Sequence, residues 1–294
     1  MTRFGDSRRL VFLCFFIVTI VVFYEHLETL FVQSLDNETN DYIPLVPLVS
    51  AFFFYVGRKE IFADTEYAVS VGLGTIVVGV ILYVSGISQG HRLSENDYLS
   101  VLTLSAVMIW MGGFACCYGL QAFRQALFPL LFLLFIVPLP TFAMETAIAV
   151  LQESSAEATS RLFGLVGVPV LREGFIFHLT GISIEVAEEC SGIHSAIALL
   201  LTSIVAGKLF LASAWRRVSL VLVVFPIAVM KNGLRIVTLT LLGNYVDERI
   251  LSSPLHRQGG IPFFVVALSF LAVAIWLLRR SESGGTSVDR PGIA

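Results

Sequence analysis

Charged residues are scarce in this 294-residue chain: they make up 14% of it, whereas hydrophobic residues make up 56%. An ordinary soluble domain is roughly half apolar and about a quarter charged. The shortage of charge therefore excludes a cytosolic enzyme and a disordered chain. The formal net charge of -3 also leaves no basic surface for phosphate backbones, which excludes a nucleic-acid-binding protein.

Cysteine is rare as well, and the four cysteines are too few for a disulfide framework. Cys14, Cys116 and Cys117 lie in apolar runs, whereas Cys190 has polar neighbours. The chain also lacks an HExxH motif, a CxxC motif and paired aspartates within its apolar segments. These absences leave a metalloprotease, a zinc site and an aspartyl protease without support, and we expect neither a metal nor another cofactor.

The chain contains long apolar runs, and each is about the length of a bilayer crossing, roughly 20 residues. They predict an all-α polytopic membrane protein with about eight transmembrane helices. The second run is short and contains Pro44 and Pro47, so we expect it to be tilted, broken or partly interfacial. The predicted spans are residues 10–24, 42–57, 68–88, 98–119, 125–142, 190–210, 218–242 and 262–278.

The distribution of basic residues predicts the orientation of these spans. With the N-terminus inside, the cytoplasmic segments hold 12 of the 19 Lys and Arg residues and the outside segments hold 5. The positive-inside rule then predicts a multi-pass protein of the cytoplasmic (inner) membrane with both termini inside. We expect residues 1–280 to form a single integral membrane domain, followed by a disordered cytoplasmic tail at 281–294.

Two predicted outside segments, 143–189 and 243–261, are long enough to carry function. Residues 144–166 mix polar and apolar positions in a pattern that predicts an amphipathic helix on the membrane surface. After it, Gly174 and Gly181 interrupt short β-branched and aromatic runs, which predicts a small β-hairpin on the outer face. This hairpin leads directly to Cys190.

Cys190 lies in the sequence EECSGIHS, at the predicted start of the sixth span. The dipole and the unpaired N–H groups at a helix start favour a thiolate, and Gly192 allows close approach of the backbone. A cysteine that only fills space would not need polar neighbours such as Glu189 and His194. The pattern therefore predicts that Cys190 is a nucleophile.

Lys231 and Arg235 lie within the seventh apolar run, where a charge is costly and typical of a functional site. Arg235 is near the outer end of the run. Asn232 precedes it by three residues on the same helix face, and can orient its guanidinium group. Lys231 lies deeper, and we expect it on another face as the partner of a buried glutamate.

Cys190, Arg235 and His256 are predicted to share the outer rim of the membrane. The 45 residues from Cys190 to Arg235 allow two crossings, and no apolar run separates Arg235 from His256. A thiol, an imidazole and a fixed cation are the components of acyl transfer. The imidazole takes the thiol proton or pairs with the thiolate, and the guanidinium group stabilises the oxyanion. His194, four residues after Cys190, is an alternative base.

At these residues the sequence resembles the exosortase/archaeosortase family of membrane transpeptidases. The family's N-terminal conserved block is similar to DYIPLVPLVSAFFFYVGRK. The strongest matching stretches are REGFIFHLTGISIEVAEECSGIHS, NGLRIVTLTLLGN and HRQGG. The resemblance implies a thiol protease and transpeptidase that cuts a C-terminal sorting signal of exported proteins through a cysteine thioester. This signal, called PEP-CTERM, consists of a Pro-Glu-Pro-type motif, a transmembrane helix and a basic cluster.

The resemblance also implies roles for individual residues. The family's cysteine falls on Cys190, its arginine on Arg235 and its third residue on His256. A histidine in third place is the exosortase pattern, but archaeosortases use arginine there, so Arg257 keeps the second pattern open. The implied partners are exported proteins, membrane lipid and an extracellular-polymer acceptor with its exopolysaccharide machinery, and the active site is expected to face the periplasm or the outside.

Two other functions fit parts of the sequence. A transporter or exopolysaccharide-assembly component would bind an anionic substrate through Lys231 and Arg235. A transporter site, however, is expected near the bilayer midplane and not at one rim. A structural subunit of a secretion complex is the third hypothesis, and no particular residue supports it.

Overall fold

The computed structural model describes residues 2–36, 40–180, 182–187, 191–246 and 260–285. The chain divides into two compact units, Met1–Met144 and Glu145–Ala294. The expectation of a single membrane domain over residues 1–280 remains a prediction.

Helices build the described part of the first unit. The helix that begins at Glu95 has a favourable cap, because the Ser94 hydroxyl accepts a hydrogen bond from the Asp97 N–H. A 72° bend separates Arg8–Val22 from Tyr24–Leu35, so these two helical segments do not form one straight rod. The elements are α1 (Thr2–Val22), α2 (Tyr24–Asp36), α3 (Leu45–Ile61), α4 (Val69–Gln89), α5 (Glu95–Gln125) and α6 (Leu127–Phe132), with 3-10 turns at Gly90–Arg92 and Leu133–Ile136.

Glycines allow α4 to approach α5 closely. Gly72, Gly79 and Gly86 recur every seven residues along α4, and all three are buried. A Cβ atom on Gly79 would lie only 2.7 Å from the Ile109 side chain, so a larger residue would push the helices apart. Such small-residue contacts are typical of helix pairs in lipid, where association depends on close packing.

The second unit contains a small sheet and the long C-terminal helices. α7 (Thr141–Val166) leads from the first unit into the second. Three short strands follow it and pair antiparallel in the order in which they occur in the chain, with Phe177 opposite both Arg172 and Ile184. The elements are β1 (Leu171–Glu173), β2 (Ile176–His178), β3 (Ser183–Glu185), α8 (Ile193–Phe210), α9 (Ala214–Tyr245) and α10 (Gly260–Gly285).

Two apolar clusters hold the second unit together. The connection at 211–213 is short, so α8 and α9 run antiparallel as neighbours, and α10 packs against both. The first cluster joins these three helices through buried residues such as Leu199, Leu220 and Leu271. The second joins the sheet to α7 and α9 through Phe163, Phe177, Val186, Ile236 and Val237.

The structure confirms the prediction of a mainly helical, polytopic membrane protein. Five helices in the described residues are long and apolar enough to cross a membrane, and two bent helix pairs raise the number to seven. Eight spans were expected. In the region at 42–57, a turn is followed by α3, which begins at Leu45 and whose 17 residues are short for a crossing. The five spans are Val69–Arg92, Glu95–Gln125, Ile193–Phe210, Ala214–Tyr245 and Ile261–Glu282; the pairs are Arg8–Val22 with Tyr24–Leu35 and Leu127–Ile136 with Thr141–Val166.

The other local predictions have mixed outcomes. The amphipathic stretch at 144–166 is indeed helical, and the expected hairpin is part of the three-stranded sheet.

The C-terminal helix α10 continues to Gly285, into the tail predicted at 281–294. Glu282 accepts hydrogen bonds from the backbone N–H groups of Ala212 and Ser213, at the start of α9. The rest of the predicted tail lies outside the described residues, and the orientation of the spans remains a prediction.

Candidate active site

The turn at the start of α8 follows directly after Cys190 in the chain. Cys190 itself and Glu189 lie outside the described residues, which resume at Ser191. Ser191 is buried, and Gly192 has a left-handed backbone conformation, with φ 80° and ψ 17°. A side chain is strained in this conformation, so the turn at 191–193 depends on glycine.

Asn232 of α9 packs directly against this turn. Its side chain is only 1% exposed. A Cβ atom on Gly192 would lie 3.1 Å from both Cγ and Oδ1 of Asn232, which is tighter than most real contacts. Gly192 therefore serves two purposes, since it accepts the left-handed conformation and leaves room for Asn232. The predicted polar residue of the seventh span is thus adjacent to the turn that follows Cys190.

Lys231 and Ser195 extend the polar contact between α8 and α9. Lys231 is 3% exposed, and its Nζ donates a hydrogen bond of 2.5 Å to Ser195 Oγ. Ser195 Oγ in turn donates to the Gly192 carbonyl oxygen at 2.9 Å. A hydroxyl group can do both at once, because it has one donor and two acceptor positions.

This geometry corrects the expectation for Lys231. Residues four apart on a helix share a side, so Lys231 and Arg235 do not lie on different faces of α9. Within the described residues, the partner of Lys231 is the hydroxyl of Ser195 and not the glutamate that was expected.

The remaining predicted residues are only partly described. Arg235 is half-buried and lies three residues beyond Asn232 on α9. His194 is half-buried in the first turn of α8. His256 and Arg257 lie outside the described residues. The structure thus brings Asn232 to the turn after Cys190, whereas the roles of Cys190, Glu189, His194, Arg235, His256 and Arg257 remain predictions.

Gln152 of α7 is a further polar residue near the site, and it lies outside the motifs that predicted the site from the sequence. It is 8% exposed, and its Nε2 donates a 2.7 Å hydrogen bond to the carbonyl oxygen of Val186, four residues before Cys190. Ser155 and Thr159 are also fully buried on this helix. Ser155 and Thr159 follow Gln152 by three and seven residues, so the three polar side chains lie along one face of the helix. This polar face was the sequence signal that could have indicated Gln152.

The sheet before Cys190 is tied to α7 by Arg172. Its guanidinium group contacts Glu153 Oε1 at 3.0 Å and Glu157 Oε2 at 2.9 Å. Its Nε also donates to the Gly174 carbonyl oxygen. Exposed ion pairs contribute only about 0–1 kcal/mol each, so this set orients the sheet more than it stabilises the unit.

One sequence pattern, GISQG at residues 86–90, matches the GxSxG motif of serine hydrolases. That motif requires a sharp strand-to-helix turn that exposes the serine. Here Ser88 lies within α4, and its hydroxyl donates to the Ser85 carbonyl oxygen. The match is therefore a coincidence of composition. Among the described residues, no group of three His, Cys, Asp or Glu side chains could hold a metal ion.

Comparison with protein families identifies the chain. A family model described as transmembrane exosortase (Exosortase_EpsH) matches residues 32–273, which is most of the sequence. The chain belongs to the transmembrane exosortase family. The match confirms the family resemblance, and at the level of the family it supports a transpeptidase-type role on exported proteins with C-terminal sorting signals. Neither the curated proteins nor the solved structures contain a match to the chain.

The contact between Gly192 and Asn232 predicts the effect of adding one methyl group. We expect Gly192→Ala to lower the thermal unfolding midpoint in detergent and to reduce signal cleavage. The methyl group would strain the left-handed turn, at a cost of about 1–2 kcal/mol, and would also press on Asn232.

Gly174→Ala is the matched control, because Gly174 also has a positive φ but has no neighbouring atom within 4 Å of an added Cβ. Its thermal unfolding midpoint should fall only by the amount that the left-handed strain costs, and its rate of signal cleavage should stay at the wild-type value. If both variants lose the same stability and Gly192→Ala cleaves normally, the contact with Asn232 has no part in the site.

Proposed function

We propose that this protein is a membrane-embedded cysteine transpeptidase of the exosortase type. It cleaves a PEP-CTERM-type sorting signal from exported proteins at the outer face of the cytoplasmic membrane. It then transfers the new C-terminus to a surface or extracellular-polymer acceptor. The main support is the contact between Gly192, two residues after Cys190, and Asn232, three residues before Arg235, in a chain of this family.

Simple chain geometry supports an encounter between Cys190 and Arg235. Two residues of extended chain span at most about 7 Å, which limits the distance from Gly192 to Cys190. Three residues of helix advance about 4.5 Å, which is the rise from Asn232 to Arg235. Gly192 and Asn232 are in contact. These short distances support our proposal that the long Arg235 side chain reaches the reacting carbonyl group beside Cys190.

The proposed reaction has two stages. The Cys190 thiolate attacks the carbonyl carbon of the scissile peptide bond, and Arg235 stabilises the oxyanion that forms. The C–N bond then breaks, the leaving amine takes a proton and a thioester remains on Cys190. The acceptor attacks this thioester in the second stage and releases the thiolate. His256 acts as the base or thiolate partner, and His194 is the alternative.

Transport of an anionic substrate has weaker support. Lys231 is buried and donates its hydrogen bond to Ser195 within the protein. A residue engaged in this way is less suited to bind a mobile anion. The Lys231–Ser195 contact therefore favours the enzymatic function over the transporter.

The first prediction of this function concerns the nucleophile. Cys190→Ala and Cys190→Ser should both abolish processing of an exported reporter that ends in a Pro-Glu-Pro motif, a transmembrane helix and a basic cluster. The thiolate supplies the bond to the acyl group, and a serine hydroxyl is a far weaker nucleophile at neutral pH. Processing is measured by the size of the reporter, with membrane insertion of the enzyme confirmed.

The matched control is Cys14→Ala, since Cys14 is an exposed cysteine of α1. It should process the reporter at the wild-type rate. Full processing by Cys190→Ala would disprove the enzymatic function.

The second prediction concerns the shape of the cation. Arg235→Lys should be nearly as damaging as Arg235→Ala, with a loss of about 10²–10³ in cleavage rate, as for removal of an oxyanion donor. Lysine keeps the charge but lacks the planar set of donors that can contact the oxyanion and a neighbour together. Arg217→Lys, at the other end of α9, is the control. Wild-type turnover in Arg235→Lys would show that charge alone is sufficient.

The third prediction separates the two histidines. If His256 is the base or thiolate partner, His256→Ala should lower the cleavage rate by roughly 10²–10⁴, and His194→Ala should cost far less. Both rates are measured with matched expression and insertion. A large loss in His194→Ala together with a small loss in His256→Ala would assign the role to His194.

A further inference from the structure

Lys231 is the charged side chain that the proposed reaction leaves unexplained. It lies in α9, within a candidate membrane span, and is 3% exposed. An ammonium group in this environment is costly and is typical of a functional requirement. Within the described residues it takes part in no salt bridge, and its hydrogen bond goes to the Ser195 hydroxyl. The hydrogen bond to Ser195 of α8 is therefore the described contact that offsets the cost of burying this charge.

The contact continues from Ser195 to the turn after Cys190. The Gly192 carbonyl oxygen accepts two hydrogen bonds, one from Ser195 Oγ at 2.9 Å and one from the Ala196 N–H at 3.0 Å. The second is an ordinary bond of the first helical turn, whereas the first depends on a side chain. Two bonds to one carbonyl group fix the orientation of that peptide plane more firmly than one.

The positive charge of Lys231 strengthens the hydrogen bond from Ser195 to the Gly192 carbonyl group. Hydrogen bonds with a charged donor are about twice as strong as neutral ones, and a polarised hydroxyl donates more strongly to its own acceptor. Lys231 therefore strengthens the bond from Ser195 to Gly192 without contacting the turn itself. An apolar residue of similar length at 231 would fill the space but would not polarise Ser195.

The chain is also held on the other side of Cys190. Gln152 donates to the carbonyl oxygen of Val186, four residues before Cys190, and Ser195 donates to Gly192, two residues after it. The two anchors come from different helices, α7 and α8. Val186 and Gly192, which lie on either side of the undescribed residues 188–190, thus each accept a hydrogen bond from a polar side chain, that of the buried Gln152 and that of the half-buried Ser195.

We propose that Lys231 is a positioning residue of the transpeptidase site, which acts through Ser195 to fix the Gly192 carbonyl group and thereby the turn that follows Cys190 in the chain. This inference rests on the proposed function. It gives Lys231 no contact with the substrate and assigns Ser195 the role of intermediary.

The test uses a chain in which Cys14, Cys116 and Cys117 are replaced by alanine, so that Cys190 is the sole thiol. Two properties are measured: kcat and KM for cleavage of the sorting-signal reporter, and the rate at which N-ethylmaleimide alkylates Cys190 without substrate. The second measurement requires no catalysis, so it remains informative if the proposed function fails. The variants are Lys231→Met, Ser195→Ala, Ser195→Thr and the double variant Lys231→Met with Ser195→Ala; Lys208→Met on α8 is the control.

We expect Lys231→Met to lower kcat by about 10- to 100-fold with little change in KM, as small misplacements of reacting groups do. The alkylation rate of Cys190 should change several-fold in the same variant. Ser195→Ala should reproduce both effects, and the double variant should be no worse than either single one, because both changes break the same path. Ser195→Thr keeps the hydroxyl and should recover most of the rate.

Three results would overturn the inference. Unchanged kcat and alkylation in Lys231→Met would show that the contact does not position Cys190. A loss in Lys231→Met that Ser195→Ala does not share would exclude Ser195 as intermediary. An increase in KM alone would indicate that Lys231 binds the substrate. If Lys231→Met does not fold, the two Ser195 variants provide the test. Wild-type kcat and alkylation in both Ser195→Ala and Ser195→Thr would equally refute the positioning role of the Lys231–Ser195 contact.

The outcomes also separate this inference from the proposed function. Full reporter processing by Cys190→Ala would refute the transpeptidase, whatever the Lys231 variants do. Altered alkylation in Lys231→Met and Ser195→Ala would still show that the pair controls the exposure of Cys190.

Discussion

The lipid bilayer offers no water to polar groups, so a buried polar side chain must find its partner within the protein. The second unit meets this requirement where α8 and α9 face each other. The three-residue connection at 211–213 sets the register of the two helices, and this register brings Lys231 to Ser195 and Asn232 to Gly192. The position of the turn after Cys190 depends on these contacts.

The sequence was sufficient to predict features that depend on composition or local spacing. Apolar runs of about 20 residues predicted the membrane class, and the polar residues of KNGLRI stood out because their surroundings are apolar. The mixed pattern at 144–166 predicted a helix, and Gly174 marked a turn between strands. Of the eight predicted spans, the one at 42–57 has no counterpart among the five to seven candidate spans of the described residues, because the helix there, α3, has only 17 residues.

Contacts between separate elements could not be predicted in the same way. Lys231 and Ser195 are 36 residues apart, and their meeting depends on the register of two helices, which a change of one residue would alter. Gln152 lies on an amphipathic helix whose polar face was expected at the membrane surface. Instead it is buried against the segment before Cys190. The local pattern specifies that a face is polar, whereas the tertiary structure decides what that face contacts.

The two cations of α9 suggest why the site would favour a transition state over a bound substrate. Lys231 and Arg235 are four residues apart, and like charges at this spacing repel each other. An oxyanion that forms beside Cys190 would bring negative charge to this side of α9 and relieve the repulsion. The neutral carbonyl group of the substrate brings little such charge. On the proposed mechanism, the electrostatic gain therefore appears mainly as the tetrahedral intermediate forms, which is the condition for lowering the barrier and not merely binding the substrate.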